Sequence, residues 1–235
     1  MNRIIILSLI LIAGNSLSAY SQVQVISPEL QRFYDDYKHL QKFNESAEAN
    51  YDGSPYLNKE FEPGKIILSN GNEYKDIMLR YNVYNDEFEF SNDNKVLALE
   101  KDPQFSAFII AEKEFYYKKY FLKEKPKEGY LLKLVEGKYS LYLKYNVVLR
   151  EAEEPKPFQE ARKPNFVIQK PSYMIGSERE GIIVIKNLKD FYKYYQDLKG
   201  IVKDFAGREK IKLKSEQDYI DLVNFLNSQS QQQNK

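Results

Sequence analysis

The chain has no cysteine and no tryptophan, and histidine occurs once, at His39. Without cysteine there is no disulfide framework, no thiolate nucleophile and no thiolate-held zinc. A single histidine leaves one candidate for imidazole catalysis and excludes any site built from several. Glycine is sparse: ten residues, none arranged as a G-x-G-x-x-G or G-x-x-x-x-G-K loop that could cradle phosphate. An excess of either charge is missing as well. Thirty-five Lys+Arg face 34 Asp+Glu, so no overall field draws the chain to nucleic acid or to an anionic membrane. What the chain does have is aromatic: 20 Tyr and 14 Phe in 235 residues.

Residues 1–21 have the layout of a signal peptide. Arg3 supplies a short positive start, Ile4 to Ala13 form an apolar run broken only by Ser8, and Ala19-Tyr20-Ser21 places small residues at −3 and −1 before Gln22. The run is about half the roughly 20 residues that a membrane-spanning helix needs. No cysteine follows it, so lipoprotein acylation is excluded. The expectation is an exported chain, periplasmic, outer-surface or secreted, that does not span a membrane after cleavage. Losing Arg3 leaves it with balanced charge.

Beyond the leader, Ser27-Pro28-Glu29 has the order of a helix start, and Leu30, Phe33, Tyr37 and Leu40 follow on one stripe, predicting a helix over 28–43. Residues 44–54 read as a linker. From Tyr56 to Ile185 the period becomes two. Asn70-Gly71 separates Lys65–Ser69 from Tyr74–Tyr84 as a hairpin turn. Glu87–Ser91, Lys95–Glu100, Phe105–Ala111, Lys113–Leu122 and Tyr130–Val135 follow as strands. Tyr139–Arg150 alternates most cleanly, with Tyr139, Leu141, Leu143, Tyr145, Val147 and Leu149 on one face. Residues 151–171, with four prolines, read as a long connection holding an edge strand near Phe166–Ile168. Tyr173–Gly176 and Ile182–Ile185 form a last hairpin. A helix from Asn187 stops at Gly207, and a second starts at the capping box Ser215-x-x-Asp218. Ser228–Lys235 reads as a disordered tail.

The expected fold is therefore α+β: a mostly antiparallel sheet, β-roll or sandwich-like, with an N-terminal helix and a C-terminal helical pair. The expected division is a leader to 21, helix and linker over 22–52, a β domain over 53–186, helices packed on it over 187–227, and the tail.

The chemistry-bearing candidates are few. His39 has Asp35 one turn away, but two ligands make a weak metal site and no serine partner is placed for a triad. Acids such as Asp86, Glu87, Glu89, Glu100 and Glu112 could pair as in a glycan hydrolase. In a chain with 29% charged residues such pairs also arise by chance. Basic–aromatic interleaving over Phe115–Phe121 and Tyr139–Tyr145 can stack bases, yet aromatic residues also form strands and lysines guard their solvent faces. In the segment 80–86, Ile77, Leu79, Tyr81 and Val83 face the core and leave Arg80, Asn82 and Tyr84 together on the other face. That trio is either a ligand patch or a cross-strand polar ladder. Outward aromatics Tyr117 and Tyr142 complete the candidate binding set.

The segment Gly53-Ser54-Pro55-Tyr56-Leu57, then Phe61, then Leu79-Arg80-Tyr81-Asn82-Val83-Tyr84 resembles a family of exported proteins of unknown function from Gram-negative bacteria. Lys138-Tyr139-Ser140-Leu141-Tyr142 and Lys212-Leu213-Lys214-Ser215-Glu216-Gln217-Asp218 are similar to it too. The likeness covers about residues 53 to 226. It implies export and a shared architecture, and carries over no activity, cofactor or site residue.

The expectation for function is a non-catalytic envelope component, a binding or scaffold protein that recognises an envelope protein or a polysaccharide. No cofactor, metal or nucleic-acid partner is expected. A carboxylate-dependent glycan hydrolase and a small-ligand carrier are the alternatives.

Overall fold

The computed structural model describes residues 28–37, 41–43, 51–92, 95–152 and 162–232. The signal-peptide reading, His39 and most of the expected linker lie outside these residues.

Among the described residues twelve strands join in one sheet, antiparallel except at two pairings. They are β1 (Gln41–Phe43), β2 (Asp52–Gly53), β3 (Glu62–Leu68), β4 (Glu73–Asn82), β5 (Glu87–Asn92), β6 (Lys95–Leu99), β7 (Phe105–Ile110), β8 (Lys113–Leu122), β9 (Lys125–Val135), β10 (Ser140–Arg150), β11 (Asn165–Ser177) and β12 (Gly181–Val184). Helix α1 (Pro28–Tyr37) precedes the sheet, and α2 (Leu188–Tyr194), α3 (Lys199–Glu209) and α4 (Glu216–Gln232) follow it. The α+β class, mostly antiparallel with helices at both ends, is the observed one.

The strand order is β1-β6-β5-β4-β3-β7-β8-β12-β11-β10-β9, and β9 also pairs with β8. Strands β8 to β12 therefore close on themselves into a small ring. Tyr120, Leu131, Met174 and Val184 fill one buried cluster, with Leu122, Tyr142 and Ile182 against it. Two larger cores flank it. The first gathers Phe33 of α1 with Ile77, Leu79 and Tyr81 of β4, Phe88 and Phe90 of β5, Phe108, Phe115 and Tyr130. The second joins Leu141, Ile175, Ile183 and Ile185 to Phe191, Tyr195, Val202, Leu222 and Val223 of the C-terminal helices. Burying an aromatic or aliphatic side chain of this size stabilises by about 1.5–3 kcal/mol, which explains how the chain does without cross-links.

Several expectations are corrected. The first helix ends by Tyr37, and Gln41–Phe43 pairs with Leu97–Leu99 of β6 as a strand. The end of the linker is also a strand: Asp52 and Gly53 run parallel to Asn165 and Phe166. Gly53 has φ +76, and a Cβ there would collide with the Phe166 carbonyl oxygen. β9 starts at Lys125, five residues early, because Lys123 and Glu124 (φ 49 and 67) form a tight turn without glycine or asparagine. β11 runs through Pro171 as one strand of 13 residues. The proline falls where the register with β10 shifts, between Lys144 and Asn146, a place where a missing N–H is tolerated.

The expected 187–207 helix is broken. A 3-10 turn at Gln196–Leu198 separates α2 from α3, and Tyr195 between them stacks on Phe191 and donates to the Ile175 carbonyl. Gly207 does not stop α3; the left-handed cap is Lys210, at φ 58. The capping box at Ser215 is present, with Ser215 Oγ accepting from the Asp218 amide at 3.2 Å. The glutamine-rich end is helical to Gln232, and Ser230 is buried.

Candidate functional site

The five candidate residues fall in four places. Arg80 and Asn82 do meet, on the acid that lies across β5. Arg80 pairs with Glu89 in the β4–β5 register, donating from Nε and Nη2 to Glu89 Oε2 at 3.2 and 2.6 Å. Asn82 Nδ2 donates to Glu89 Oε1 at 3.0 Å, and Asn82 Oδ1 accepts from the Asn85 amide. The guanidinium is sandwiched between Tyr56, 3.6 Å from the ring centre, and Phe61, 4.3 Å away. Burial, with the Glu89 charge behind it, raises the Tyr56 phenol pKa.

The polar-ladder reading of Arg80 and Asn82 is thus the observed one, and their face is not open to solvent. The chain around Pro55–Leu57 covers it, with Leu57 N–H donating to the Tyr81 carbonyl and Val83 N–H to that of Pro55. Glu89, Tyr56 and Phe61 were not singled out together from the sequence. The register Arg80↔Glu89 follows from the Asn85-Asp86 turn and was the available signal.

Asp86, at φ 57 in that turn, holds a second cluster. Its Oδ1 accepts the Tyr81 hydroxyl at 2.6 Å, the Tyr130 amide at 3.2 Å and Lys144 Nζ at 2.8 Å. Lys101 Nζ stands 3.8 Å from Oδ2. The Tyr81 phenol is driven well above its ordinary range, by burial first and the Asp86 charge second. The carboxylate enters where β10 leaves β9. Pairing between them ends at Leu143↔Leu132, and the next β9 amide on that side, Tyr130, bonds to Asp86 instead. Gly129 leaves the room: a Cβ there would collide with Asp86 and Lys144.

Beyond the split, β10 and β11 continue as a two-stranded ribbon, from Asn146↔Gln169 to Arg150↔Asn165. Tyr84, 45% exposed, packs edge-on against Phe166 of this ribbon at 5.1 Å, and Tyr51, 40% exposed, meets the same ring at 5.3 Å. Ile168, two residues along the same strand face, is 71% exposed, and Val148 on the opposite face is 43% exposed. Tyr51, Tyr84 and Phe166 form one aromatic group on this face of the ribbon, with Ile168 exposed two residues along it. Of the sequence candidates, Tyr84 alone belongs to it.

Tyr117 lies half-buried, edge-on to Tyr130 at 5.2 Å. Burial and a hydrogen bond to Glu128 push its phenol up to about 12. Tyr142 is half-buried against the ring cluster, and Tyr120, at the end of the basic–aromatic stretch, is buried there. The cause is the closure of β8 on β12, a pairing of residues 62 apart at Phe121↔Ile183.

A further cleft of about 260 Å³ lies between Lys138, Tyr139, the β11–β12 turn and the 3-10 turn. Arg179 at its rim makes a two-pronged ion pair with Asp197, both contacts at 3.1 Å. Among the described residues no group of three or more His, Asp or Glu stands close enough to hold a metal ion, and no helix is long and apolar enough to cross a membrane.

No family model, no curated protein and no solved structure matches the chain.

Proposed function

We propose that the protein is an exported, non-catalytic binding or scaffold component that recognises a partner in the cell envelope through the β10–β11 ribbon. The observation that carries this reading is the pair of exposed rings Tyr51 and Tyr84 gathered on the half-buried Phe166, with Ile168 exposed two residues along the same strand face. Exposed apolar groups gathered in one place, next to polar residues, are what a soluble protein keeps for association. The strongest acidic clusters have other work: Glu89 neutralises Arg80, and Asp86 neutralises Lys144. Export rests on the layout of residues 1–21 and on the family resemblance.

The test combines fractionation with site-directed crosslinking. A photoreactive residue at Ile168 or Tyr84 is expected to give a defined adduct in intact cells, and one at Glu178, on the distant turn, is not. Equal labelling at all three positions would end the surface assignment. A chain retained in the cytosol with Met1 in place would end the export assignment.

A further inference from the structure

We infer that the tip of the β8–β9 hairpin docks end-on against an anionic lipid bilayer, with its lysines on the phosphate headgroups and Phe121 at the boundary with the acyl chains. This goes beyond the ribbon reading and uses none of its residues.

The balanced total charge conceals a local excess. Residues 118–128 hold five lysines and two glutamates, and all seven are exposed. Both glutamates are engaged. Glu124 is ion-paired with Lys193, while Glu128 accepts the Tyr117 hydroxyl and faces Lys119 across the ladder. Lys118, Lys123, Lys125 and Lys127 have no acid within ion-pair distance among the described residues.

The elements packed beside the hairpin do not restore the balance. Asp190 of α2 is turned back onto the Lys186 amide and onto Asn187. Glu114 and Glu136 both hold Lys133. The parallel pairing Phe121↔Ile183 sets the β11–β12 turn, with Glu178 and Glu180, beyond the level of Lys119 and away from the tip. Arg179 also holds Glu180. Toward the tip, β12 leads instead into the exposed Lys186.

The register separates two kinds of surface. Lys118↔Gly129, Tyr120↔Lys127 and Leu122↔Lys125 put three free ammonium groups on one face, and Lys123 stands in the turn itself. Phe121↔Pro126 lies on the other face, where Phe121 is 41% exposed and Pro126 is exposed too. An approach by the tip brings cations and apolar groups to the same plane.

That combination decides the occupant. A dissolved polyanion is held by the lysines alone and leaves Phe121 and Pro126 in water. A bilayer offers phosphate to each lysine, worth about fivefold in partitioning apiece, and an interface that removes an exposed ring from water.

The chain has no cysteine, so one introduced thiol carries one label. An environment-sensitive fluorophore at Pro126→Cys, in the full chain, is expected to brighten with vesicles of phosphatidylcholine containing roughly one-third phosphatidylglycerol, and not with phosphatidylcholine alone. The same fluorophore at Ala111→Cys, in the turn at the other end of β8, should stay dim. Lys125→Gln/Lys127→Gln, both on the surface, should weaken vesicle affinity roughly 25-fold and leave the urea midpoint unchanged.

Five outcomes overturn the inference. No change at the Pro126→Cys label with acidic vesicles means that the tip does not dock. Equal brightening with neutral vesicles, or unchanged affinity in the double variant, means that charge is not read. Equal brightening of both labels means that the tip has no special part in the contact. Soluble polyphosphate that binds the parent chain as tightly, phosphate for phosphate, as the acidic vesicles do means a polyanion site rather than a membrane surface.

Discussion

Lys144 Nζ sits 2.8 Å from Asp86 Oδ1, bridging a hairpin turn and a strand 58 residues apart. The same oxygen satisfies an amide of β9 and the hydroxyl of Tyr81, so one carboxylate ties three strands together where two of them part. Asp86→Ala leaves a part-buried ammonium, an amide and a phenol without their acceptor. A loss of about 2–4 kcal/mol is expected in urea unfolding. Asp86→Asn keeps one oxygen acceptor and should lose less. An Asp86→Ala chain as stable as the parent would mean that the cluster contributes little.

Glu89 has no exposed side-chain surface, and Arg80 has 11%. Removing one charge strands the other in a low-dielectric site, so Glu89→Ala should cost about 3–5 kcal/mol. Arg80→Lys keeps the charge but loses the fork and the flat stacking on Tyr56 and Phe61, and should cost less. The double variant Arg80→Met/Glu89→Leu should be milder than the sum of single losses, read from a double-mutant cycle.

Stability should fall in alkali. Burial, and then the Asp86 charge, raises the pKa of Tyr81 and Tyr130 above the ordinary 10.0. A raised folded-state pKa favours the protonated phenol in the folded chain. That contribution is complete below pH 10 and is lost as pH climbs toward the folded-state values. Urea midpoints from pH 8 to 11.5 should drop above pH 10, with a further step in tyrosinate absorbance that accompanies unfolding. Replacing Tyr130 with Phe should soften the drop.

Three backbone positions should accept stabilising changes. Lys210→Gly relieves a left-handed residue at the end of α3, and Glu124→Gly does so in the β8–β9 turn, although it also removes the ion pair with Lys193. Gly207→Ala in α3 meets nothing within 4 Å. Lys210→Gly and Gly207→Ala should each raise stability by about 0.5–1 kcal/mol, measured as a shift in thermal midpoint.

Ile168→Lys and Val148→Lys act on exposed side chains and should change stability by no more than about 0.5 kcal/mol. The expected effect of Ile168→Lys is loss of the crosslink from a photoreactive residue at Tyr84 in cells, and Val148→Lys, on the opposite face, should leave that crosslink in place. A large loss of stability would show that these residues are packing against the chain itself.

The local patterns that were legible are those with a short-range cause. The core face of β4, Ile77, Leu79, Tyr81 and Val83, is visible as alternation, and all four are buried. The Asn70-Gly71 turn and the Ser215–Asp218 box also declare themselves, because neighbouring residues satisfy their own backbone groups. The other face of β4 was not legible as covered. The segment around Tyr56 and Phe61 lies about 20 residues away and closes over Arg80 only in the folded chain. Tyr120 is hidden for the same reason: the strand that encloses it comes from the far end of the sheet.

Composition, periodicity and turn chemistry were enough for the α+β class and for most strand boundaries, since each depends on spacing within a few residues. Tertiary pairing alone set which polar groups are spent and which are free. Glu89, Asp86 and Tyr120 read like their exposed neighbours in the chain, and distant strands bury and pair them. The ribbon leaves the sheet where Asp86 takes the Tyr130 amide, a contact between residues 44 apart that no local pattern encodes.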